Sequence, residues 1–438
     1  MIVTDGRYRR IFSFGEYERD IDTVRILLYG INFSPELTGI GKYSGELAHW
    51  LVDSGHDLQV ITAPPYYPEW RVHAGFMGGR YTVFRDGNLV IRRCPIYVPR
   101  KLSALTRILH LLSFALSSFP VLFRHWSWRP DVILLVVPTL FCAPQAASFA
   151  RLSGALSVIH IQDFEVDALF GLEMAQGGLF QCMSSRIERF ILRRFDSVST
   201  ISSGMLRRAQ DKGVSENRLR YFPNWAEVEK FRGVERSSVL LKQLNVEPSK
   251  RIVLYSGNIG EKQGLEILVD CARLFQDRED VVFLIVGSGA GKARLQSLVR
   301  SCGLTNVVFS PLQPVDDLPQ LLASADCHLV VQRRGAADAV MPSKLTNILA
   351  VGGNAVITAD PETTLGELCR DFPGIATLVA PESVDDLVRG IKIAIDLPRP
   401  NLVAQNYAEE HLSKDRILRR FFDEIEADVA ARKSRFKK

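Results

Sequence analysis

The fold class is indicated most strongly by Arg334-Gly-Ala-Ala-Asp338-Ala-Val-Met-Pro342-Ser343-Lys344-Leu-Thr-Asn347-Ile-Leu-Ala-Val-Gly352-Gly353-Asn-Ala-Val-Ile357. An apolar strand at 327–332 leads into this stretch, a short helix begins near Pro342, and another apolar strand follows the two glycines. Parallel α/β folds bind ligands at the carboxyl ends of such strands, where helix N-termini attract anions. Backbone N–H groups near Ser343 and the Lys344 ammonium are therefore predicted to hold a diphosphate. The alternative is an ordinary connection in which Pro342 merely starts the helix.

The composition indicates a globular protein with more than one core. The chain has 438 residues, of which 47% are apolar and 24% are charged, which predicts two domains of about 200 residues each. The net charge of +5 is small and its basic residues are scattered, so nucleic acid is not an expected partner. The seven cysteines form no Cys-x-x-Cys pair and no zinc-like cluster, so no metal site is expected. The polar N-terminus does not resemble a signal peptide, and a cytoplasmic location is expected.

The order of apolar segments predicts the architecture. Short apolar strands alternate with helices in both halves of the chain, a pattern that favours parallel sheets covered on both faces. We therefore predict an α/β protein with two doubly wound Rossmann-like domains that face each other across a cleft. The predicted units are an N-terminal extension of unknown role at 1–23, a first domain at 24–225, a second domain at 226–410, and a C-terminal helix with a basic tail at 411–438.

Glycine-rich turns open both predicted domains. Gly39 and Gly41 lie between the first strand and the first helix, where small residues let a ligand approach the backbone. The alternative is a tight strand-to-helix turn. In the second domain, Gly257 to Gly264 forms a similar turn that contains Lys262. This lysine could neutralise a phosphate as a mobile point charge, or it could be a solvated surface residue.

Polar residues follow a strand of the first domain, in His160-Ile-Gln162-Asp163. Their position predicts side chains that point into the cleft. Asp163 could act as a base or hold a sugar hydroxyl, and the alternative is that it caps the next helix. His160 alternates with apolar neighbours, so it could instead be a hydrogen-bonded core histidine.

One apolar segment suggests a second kind of surface. Leu109 to Phe123 lies between Arg107 and Arg124. It is shorter than the roughly 20 residues that a spanning helix needs, and Pro120 is expected to interrupt it. One interpretation is a core helix that packs on the first sheet. The other is a membrane-interface surface formed by 104–129, with basic edges and flanking aromatic residues. Both properties could belong to one helix.

Together these segments resemble the family 4 glycosyltransferases over residues 24–430. The similarity is carried by Leu28-Tyr-Gly-Ile-Asn32-Phe-Ser-Pro-Glu-Leu-Thr-Gly-Ile-Gly41-Lys-Tyr43, Ile61-Thr-Ala-Pro-Pro-Tyr-Tyr-Pro68, His160-Ile-Gln-Asp163, Tyr255-Ser-Gly-Asn-Ile-Gly-Glu-Lys-Gln-Gly264 and the stretch from Arg334 to Ile357. Such a resemblance implies the GT-B fold and a retaining, metal-independent transfer without a cofactor. The donor would be a nucleoside-diphosphate sugar on the C-terminal domain, and the acceptor would be a lipid-linked saccharide on the N-terminal domain. Within the family, the chain is most similar to fucosyltransferases of colanic acid biosynthesis, which implies GDP-fucose as donor.

The predicted site residues follow from the motifs and from this resemblance. The donor-binding set is Gly39, Gly41, Asn258, Gly260, Lys262, Gln263, Ser343, Lys344 and Asn347. The acceptor-binding set is His160, Gln162 and Asp163, and the catalytic set is Asp163, Lys344 and Asp338.

The chain departs from the family pattern at four positions. Where the family has two glutamates, this chain has Ala339 and Asn347. The family usually has an arginine and a lysine that face the diphosphate, and this chain has Asn258 and Gln263 at those positions. The family's usual histidine of the N-terminal domain corresponds to a position near Gln162. Compensating charge would come from Lys262, Lys344 or Arg333–Arg334, and Asp338 could replace the first glutamate. Two other functions stay open, namely a nucleotide-sugar epimerase and a non-catalytic assembly protein.

Overall fold

The computed structural model describes residues 23–36, 39–101, 103–162, 186–334 and 342–436. The side chains at 104, 262, 343, 435 and 436 are not described. Asp163 and Asp338, together with Ala339, lie outside the described residues, as does the predicted extension up to residue 22.

The first half of the chain forms an eight-stranded sheet in the order β3-β4-β2-β1-β5-β6-β7-β8. Its strands are β1 Arg25–Gly30, β2 Asp57–Thr62, β3 Thr82–Asp86, β4 Leu89–Arg93, β5 Val132–Val137, β6 Leu156–Ile161, β7 Ser197–Thr200 and β8 Leu219–Tyr221. Every pairing is parallel except that of β3 with β4. Central strands such as β5 and β6 are buried along their whole length, which explains their continuous apolar sequence.

Helices cover both faces of this sheet. They are α1 Gly39–Asp53, α2 Ala104–Phe123, α3 Ala143–Ser153 and α4 Ser203–Asp211. Residues 186–192 are also helical. Helices α2, α3 and α4 pack with residues 186–192 into one apolar core, and α1 packs into a second core on the opposite face. The first domain is therefore a sheet between two helical layers.

The second half forms a six-stranded parallel sheet in the order β11-β10-β9-β12-β13-β14. Its strands are β9 Arg251–Asn258, β10 Val281–Ser288, β11 Val307–Ser310, β12 Cys327–Val330, β13 Ala355–Thr358 and β14 Thr377–Val379. The helices are α5 Ser238–Gln243, α6 Ile267–Leu274, α7 Lys292–Ser301, α8 Leu318–Ala323, α9 Ser343–Val351, α10 Thr364–Asp371, α11 Val384–Asp396, α12 Leu402–Tyr407 and α13 Lys414–Phe436. Single turns of 3₁₀ or π helix occupy Arg124–Trp126, Leu140–Cys142, Glu216–Arg218, Val228–Lys230, Glu261–Gln263, Val315–Asp317 and Ala408–Leu412.

The last helix, α13, packs on the first sheet and not on the second. Phe421 of α13 stacks on Phe222 with ring centroids 3.9 Å apart, and other apolar residues of α13 join the core around α1. Where the chain crosses between the halves, Ala226 N donates to Leu412 O and a parallel bridge pairs Ala226 with Ser413. The two crossings therefore run side by side.

The carboxyl ends of the two sheets face each other. Helix α4 follows β7, and α10 follows β13 in the second domain. Arg207 of α4 forms an ion pair with Glu367 of α10 at 3.3 Å, and a Cβ added at Gly204 would lie 3.7 Å from Thr364 Oγ1. Two Rossmann-like α/β domains with opposed carboxyl edges are thus confirmed, as the alternation of strands and helices predicted.

Several local predictions need correction. Strand β3 was not predicted, because its residues are exposed and lack a buried face. The polar sequence from Tyr221 to Lys250 predicts a linker between the domains, but the structure forms helix α5 within it. Pro120 does not interrupt the apolar helix, because it lies in the last turn of α2. There its missing N–H leaves only the carbonyl of Leu116 without a helical donor, and Leu116 is exposed to solvent.

Helix α2 has one buried and one exposed apolar side. Among the described residues, Leu105–Trp126 is the segment that is long and apolar enough to cross a membrane by length and composition. However, Leu111, Phe114 and Leu122 are packed inside the first domain. An apolar stripe remains exposed, formed by Leu105, Leu109, Leu116 and Phe119. Helix α2 is therefore a core helix that also presents an apolar surface.

Candidate functional site

The start of α9 forms one wall of the cleft. It follows β12, and its N-cap Pro342 has extended backbone with φ −60° and ψ 132° and makes no side-chain cap hydrogen bond. The first N–H groups of an α-helix have no partner inside the helix. Because they point along the positive end of the helix dipole, they suit a phosphate or another anion. Gly352 ends α9 in the left-handed region, with φ 71°.

Lys344 lies in the first turn of α9 and is only partly exposed. Its Nζ is 4.5 Å from the ring centroid of the buried Tyr255. Burial lowers the pKa of Lys344 to about 8. Within the described parts of the chain, no carboxylate forms an ion pair with this ammonium. Lys344 is therefore a desolvated cation that an incoming anion would stabilise.

The glycine-rich loop after β9 passes directly beside Lys344. A Cβ added at Gly257 would lie 4.0 Å from Lys344 Cδ, and Gly257 has φ +148°. The Tyr255 hydroxyl donates to Asn258 O at 2.6 Å, which ties the ring below Lys344 to this loop. Any side chain at Gly257 would be strained and would approach the lysine. Because Gly257 has no side chain, its backbone stays accessible beside the Lys344 side chain.

A second glycine loop, after β10, supports the first. A Cβ at Gly287 would lie 2.1 Å from Gly257 O, and one at Gly289 would lie 2.6 Å from Asn258 Oδ1. The Lys292 ammonium donates to Gly287 O at 2.9 Å and so holds the second loop in place. These glycines are therefore needed for packing between the two loops.

The structure brings most of the predicted donor residues together. Asn258 is exposed beside Gly260, and the Gln263 side chain accepts a hydrogen bond from Gly260 N at 3.2 Å. Asn347 is partly exposed one turn after Lys344, on the same side of α9. Gln263 is thus engaged with its own loop. Lys262 belongs to the same loop, although its side chain is not described.

Arg333 brings a further positive charge to this loop. Its Nε donates to Glu261 O at 2.9 Å, and its guanidinium lies 3.5 Å from the Glu266 carboxylate. A Cβ added at Gly264 would lie 2.8 Å from Arg333 Cγ. The neighbouring Arg334 pairs instead with Asp360 at 3.1 Å. Of the two arginines, Arg333 is therefore the one that lies at this loop, and its charge is paired with Glu266.

On the opposite side of the cleft, Gln162 belongs to a hydrogen-bonded network. Its amide nitrogen lies 3.0 Å from His160 Nε2 and donates to Asn224 Oδ1 at 3.1 Å. His160 Nδ1 lies 3.0 Å from Ser199 Oγ. Because His160 Nε2 accepts from the amide, its Nδ1 carries the proton and donates to Ser199.

The predicted acceptor role of His160 requires correction. The residue is 3% exposed, its ring lies 4.9 Å from that of Phe222, and burial lowers its pKa to about 3. A neutral histidine inside the domain cannot contact an acceptor in the cleft. It orients Gln162, as the alternative of a hydrogen-bonded core histidine predicted.

Gly39 and Gly41 also have packing roles. A Cβ at Gly41 would lie 2.4 Å from Glu36 Oε2, and Gly39 has φ +62° in the turn that begins α1. The close approach at Gly41 is therefore to a carboxylate of the same chain. This favours the tight-turn alternative over a donor contact at these two positions.

Glu36, which was not among the predicted site residues, connects two loops of the first domain. Its Oε1 accepts hydrogen bonds from Tyr66 N and Tyr67 N, both at 3.0 Å. Its Oε2 accepts from the Asn32 amide at 3.0 Å. Glu36 is 2% exposed, and burial raises the pKa of its carboxyl group. A charged residue among the small and apolar residues of Ser34-Pro-Glu-Leu was the signal for this role.

Arg93 extends this buried network at the end of β4. Its guanidinium donates hydrogen bonds to Ala63 O and Ser34 O. The guanidinium carbon also lies 4.9 Å from the ring centroid of Phe76. Burial lowers the pKa of Arg93 to about 10. The loops that line the first domain's side of the cleft are thus fixed by buried charged groups.

No metal site is evident in the part of the chain that the structure describes, because it contains no group of three or more His, Cys, Asp or Glu side chains with suitable geometry. The metal-independent reaction implied by the resemblance stays a prediction.

Two opposed Rossmann-like domains are the arrangement of the GT-B class of glycosyltransferases, and the start of α9 and Lys344 lie at its cleft. Residues 38–225 match the model of the glycosyl transferase 4-like domain, and residues 238–411 match that of the glycosyl transferases group 1. The chain is 54% identical over 407 residues to WcaI of Escherichia coli strain K12, named as a colanic acid biosynthesis glycosyl transferase, with 92% of this chain and 100% of the relative covered. The protein belongs to this glycosyltransferase family and is a glycosyltransferase.

The chain is also similar to more distant proteins, in sequence or in structure. The 2-deoxystreptamine glucosyltransferase of Streptomyces kanamyceticus is 25% identical and covers 76% of this chain and 86% of its own. Sucrose-phosphate synthase of Thermosynechococcus elongatus superimposes with a TM-score of 0.68 at 17% identity, covering 93% of this chain and 99% of its own. HepE of Anabaena, solved with UDP, gives a TM-score of 0.62 at 16% identity, covering 92% and 100%. These solved structures confirm the GT-B fold.

The Glu36 network yields a stability prediction. Replacing Glu36 by Ala removes the carboxylate that accepts from the buried Tyr66 N–H and from the part-buried Tyr67 N–H, and leaving a buried donor without its acceptor costs about 1–3 kcal/mol. We expect Glu36→Ala to lower the thermal unfolding midpoint, as measured by scanning calorimetry. The control Glu69→Ala removes an exposed carboxylate paired with His73 and should change stability by less than about 0.5 kcal/mol. Equal midpoints for the two variants would contradict the role assigned to Glu36.

Proposed function

We propose that this glycosyltransferase moves a sugar from a nucleoside-diphosphate donor to a lipid-linked saccharide in exopolysaccharide biosynthesis. The observation that carries the proposal is the partly buried Lys344, which forms no ion pair with any described carboxylate and lies beside the uncapped start of α9 and the open loop at Gly257. The colanic acid assignment of the 54% identical relative supports the pathway class. Solved neighbours in complex with UDP and UDP-glucose support a nucleotide-sugar donor.

The leaving diphosphate would be stabilised by the second domain. In this proposal the N–H groups at Ser343 and Lys344 and the Lys344 ammonium face its oxygens. Arg333 and Lys262 supply further charge at the loop where Asn258 and Gln263 are neutral. Such preorganised groups lower the barrier because they stabilise the charge that develops as the bond to the sugar breaks.

The proposed transfer is retaining. The bond from the anomeric carbon to the diphosphate oxygen breaks, and the acceptor oxygen attacks the same face of an oxocarbenium-like sugar. The acceptor proton passes to the departing phosphate oxygen, so no side-chain base is needed. Asp163 then positions the acceptor with Gln162, and Asp338 faces the donor sugar. An inverted product, observed by NMR of the anomeric proton, would instead require Asp163 as base.

The donor is proposed to be GDP-fucose. Saturation-transfer NMR with a panel of nucleotide sugars tests this choice, and selective binding of GDP-fucose is expected. Selective binding of another donor would change the proposed sugar but would leave the assignment as a transferase intact. An epimerase would instead convert its donor without any acceptor, and an assembly protein would show no turnover with any donor.

The anion-binding role of Lys344 predicts a large kinetic effect. Lys344→Ala should lower the transfer rate by about 10²–10³-fold, the usual loss when one group that stabilises developing charge is removed. The matched control is Lys392→Ala, because Lys392 also lies over an aromatic ring, 5.9 Å from the Phe275 centroid, but is exposed on α11. Circular dichroism checks that both variants fold. Unchanged transfer by Lys344→Ala would rule out the phosphate role.

The lowered pKa of Lys344 predicts that donor binding depends on pH. Below about pH 8 the lysine is charged both before and after binding, so affinity is constant. Above this value the free lysine is neutral and binding must take up a proton, so affinity falls by up to about tenfold per pH unit. Calorimetric titration at about pH 7 and about pH 9 measures the change. In Lys344→Met the affinity should be weak and no longer show this decrease, whereas a decrease of wild-type size would contradict the assignment.

We also propose that the protein works as a peripheral membrane protein on the cytoplasmic face, because its acceptor is lipid-linked. The surface comprises 104–129, where the exposed stripe of α2 is bordered by Arg107 and Arg124. In liposome flotation, Leu116→Asp/Phe119→Asp should lose vesicle binding. The control Val239→Asp/Leu312→Asp changes two equally exposed apolar residues of the second domain and should float like the wild type. If both double variants float like the wild type, the exposed stripe of α2 is not the membrane contact.

A further inference from the structure

The first domain has a groove on the same face as α2. It lies between α3 and the helical residues 186–192, and the end of α13 closes it. Its volume is about 390 Å³, and its lining includes Ala147, Arg151, Phe190, Arg194, Asp196 and Arg432. The groove therefore joins a helix from the end of the chain to two helical elements of the first domain.

Two arginines in this groove lack a counter-ion in the part of the chain that the structure describes. Arg151 and Arg194 are exposed and form no ion pair there. The Arg194 guanidinium lies 4.3 Å from the ring centroid of Phe190, which also lines the groove. Neither positive charge is needed to balance a described neighbour.

The one acidic residue of the groove is already engaged. Asp196 Oδ2 accepts hydrogen bonds from Ser157 N and Ser157 Oγ, both at 2.8 Å, and lies 3.1 Å from Arg432 Nη1. Arg432 Nε also donates to Gly154 O at 3.0 Å. Asp196 and Arg432 thus neutralise each other, and the charge left for a ligand is that of Arg151 and Arg194.

Exposed apolar side chains occur in the same two segments of the chain as these arginines. Leu152, Ile187 and Phe190 are 63%, 52% and 59% exposed. Cations next to exposed apolar side chains are typical of surfaces that contact the headgroup region of a bilayer. The charged end of the groove lies at the amino ends of β6 and β7, marked by Ser157 and Asp196, whereas the donor cleft lies at the carboxyl ends. This groove is therefore separate from the donor site.

We propose that the groove binds the phosphate of an anionic membrane phospholipid. Arg151 and Arg194 hold the phosphate oxygens, and Leu152 and Phe190 contact the acyl chains next to it. The exposed stripe of α2 lies on the same helical layer, so both features would meet one membrane surface. The proposal depends on the membrane contact proposed above and not on the sugar-transfer reaction.

The test is flotation of the full-length protein with vesicles of phosphatidylcholine alone and with vesicles that contain phosphatidylglycerol. Wild-type protein should bind the anionic vesicles more strongly. Arg151→Ala/Arg194→Ala should bind them roughly 30-fold more weakly, the effect expected from losing two surface cations. The control Arg300→Ala/Arg389→Ala removes the same charge from exposed positions of the second domain and should bind normally. An equal loss of binding to anionic vesicles in both double variants would show a general charge effect and would overturn the proposal that the groove binds the lipid phosphate.

Other outcomes separate this proposal from those before it. Equal wild-type binding to neutral and anionic vesicles would overturn the groove while leaving the α2 surface intact. No flotation on either vesicle would overturn both membrane proposals, and the transfer assay with Lys344→Ala would be unaffected. A final arm titrates glycerol phosphate while chemical shifts of the arginine side chains are followed. Saturation by free glycerol phosphate that also blocks vesicle binding would identify a site for a soluble phosphate and overturn the lipid assignment.

Discussion

The position of every cleft residue depends on how the chain crosses twice between the two domains. Ala226 pairs with Ser413 in the backbone, and Phe421 then stacks on Phe222. Trp225, just before the first crossing, donates to Glu46 at 2.6 Å and so ties it to α1. Because α13 is buried against the first sheet, the second domain is held at both of its ends. This arrangement sets the two carboxyl edges opposite each other.

The two walls of the cleft differ in how their polar and charged groups are paired. Its first-domain wall is fixed by buried charges and amides with complete partners, such as Glu36 with Tyr66 and Gln162 with Asn224. The second-domain wall instead carries Lys344, a cation without a described counter-ion. A preorganised but unbalanced charge is costly when the site is empty and favourable when an anion is bound. The contrast is the physical reason for proposing that the anionic donor binds to the second domain.

The sequence predicted the fold well because buried parallel strands are apolar along their whole length. Strands such as β5 and the helix that begins at Pro342 were therefore recognisable. Strand β3 was missed because nothing in its exposed sequence distinguishes it from a loop. At the site, Lys344 was found because it opens a helix after a strand. For His160 and Gly41 the sequence offered both a ligand-binding and a packing role, and it could not decide between them, since burial and contact with Glu36 depend on packing between distant segments.

The contact between Arg207 and Glu367 has a consequence for the motion of the domains. It joins the two domains across the mouth of the cleft through side chains that are 59% and 26% exposed. A solvated ion pair of this kind contributes only about 0–1 kcal/mol and weakens as salt is added. This pair therefore adds little to the free energy that holds the two domains in this arrangement, and added salt makes that contribution smaller still.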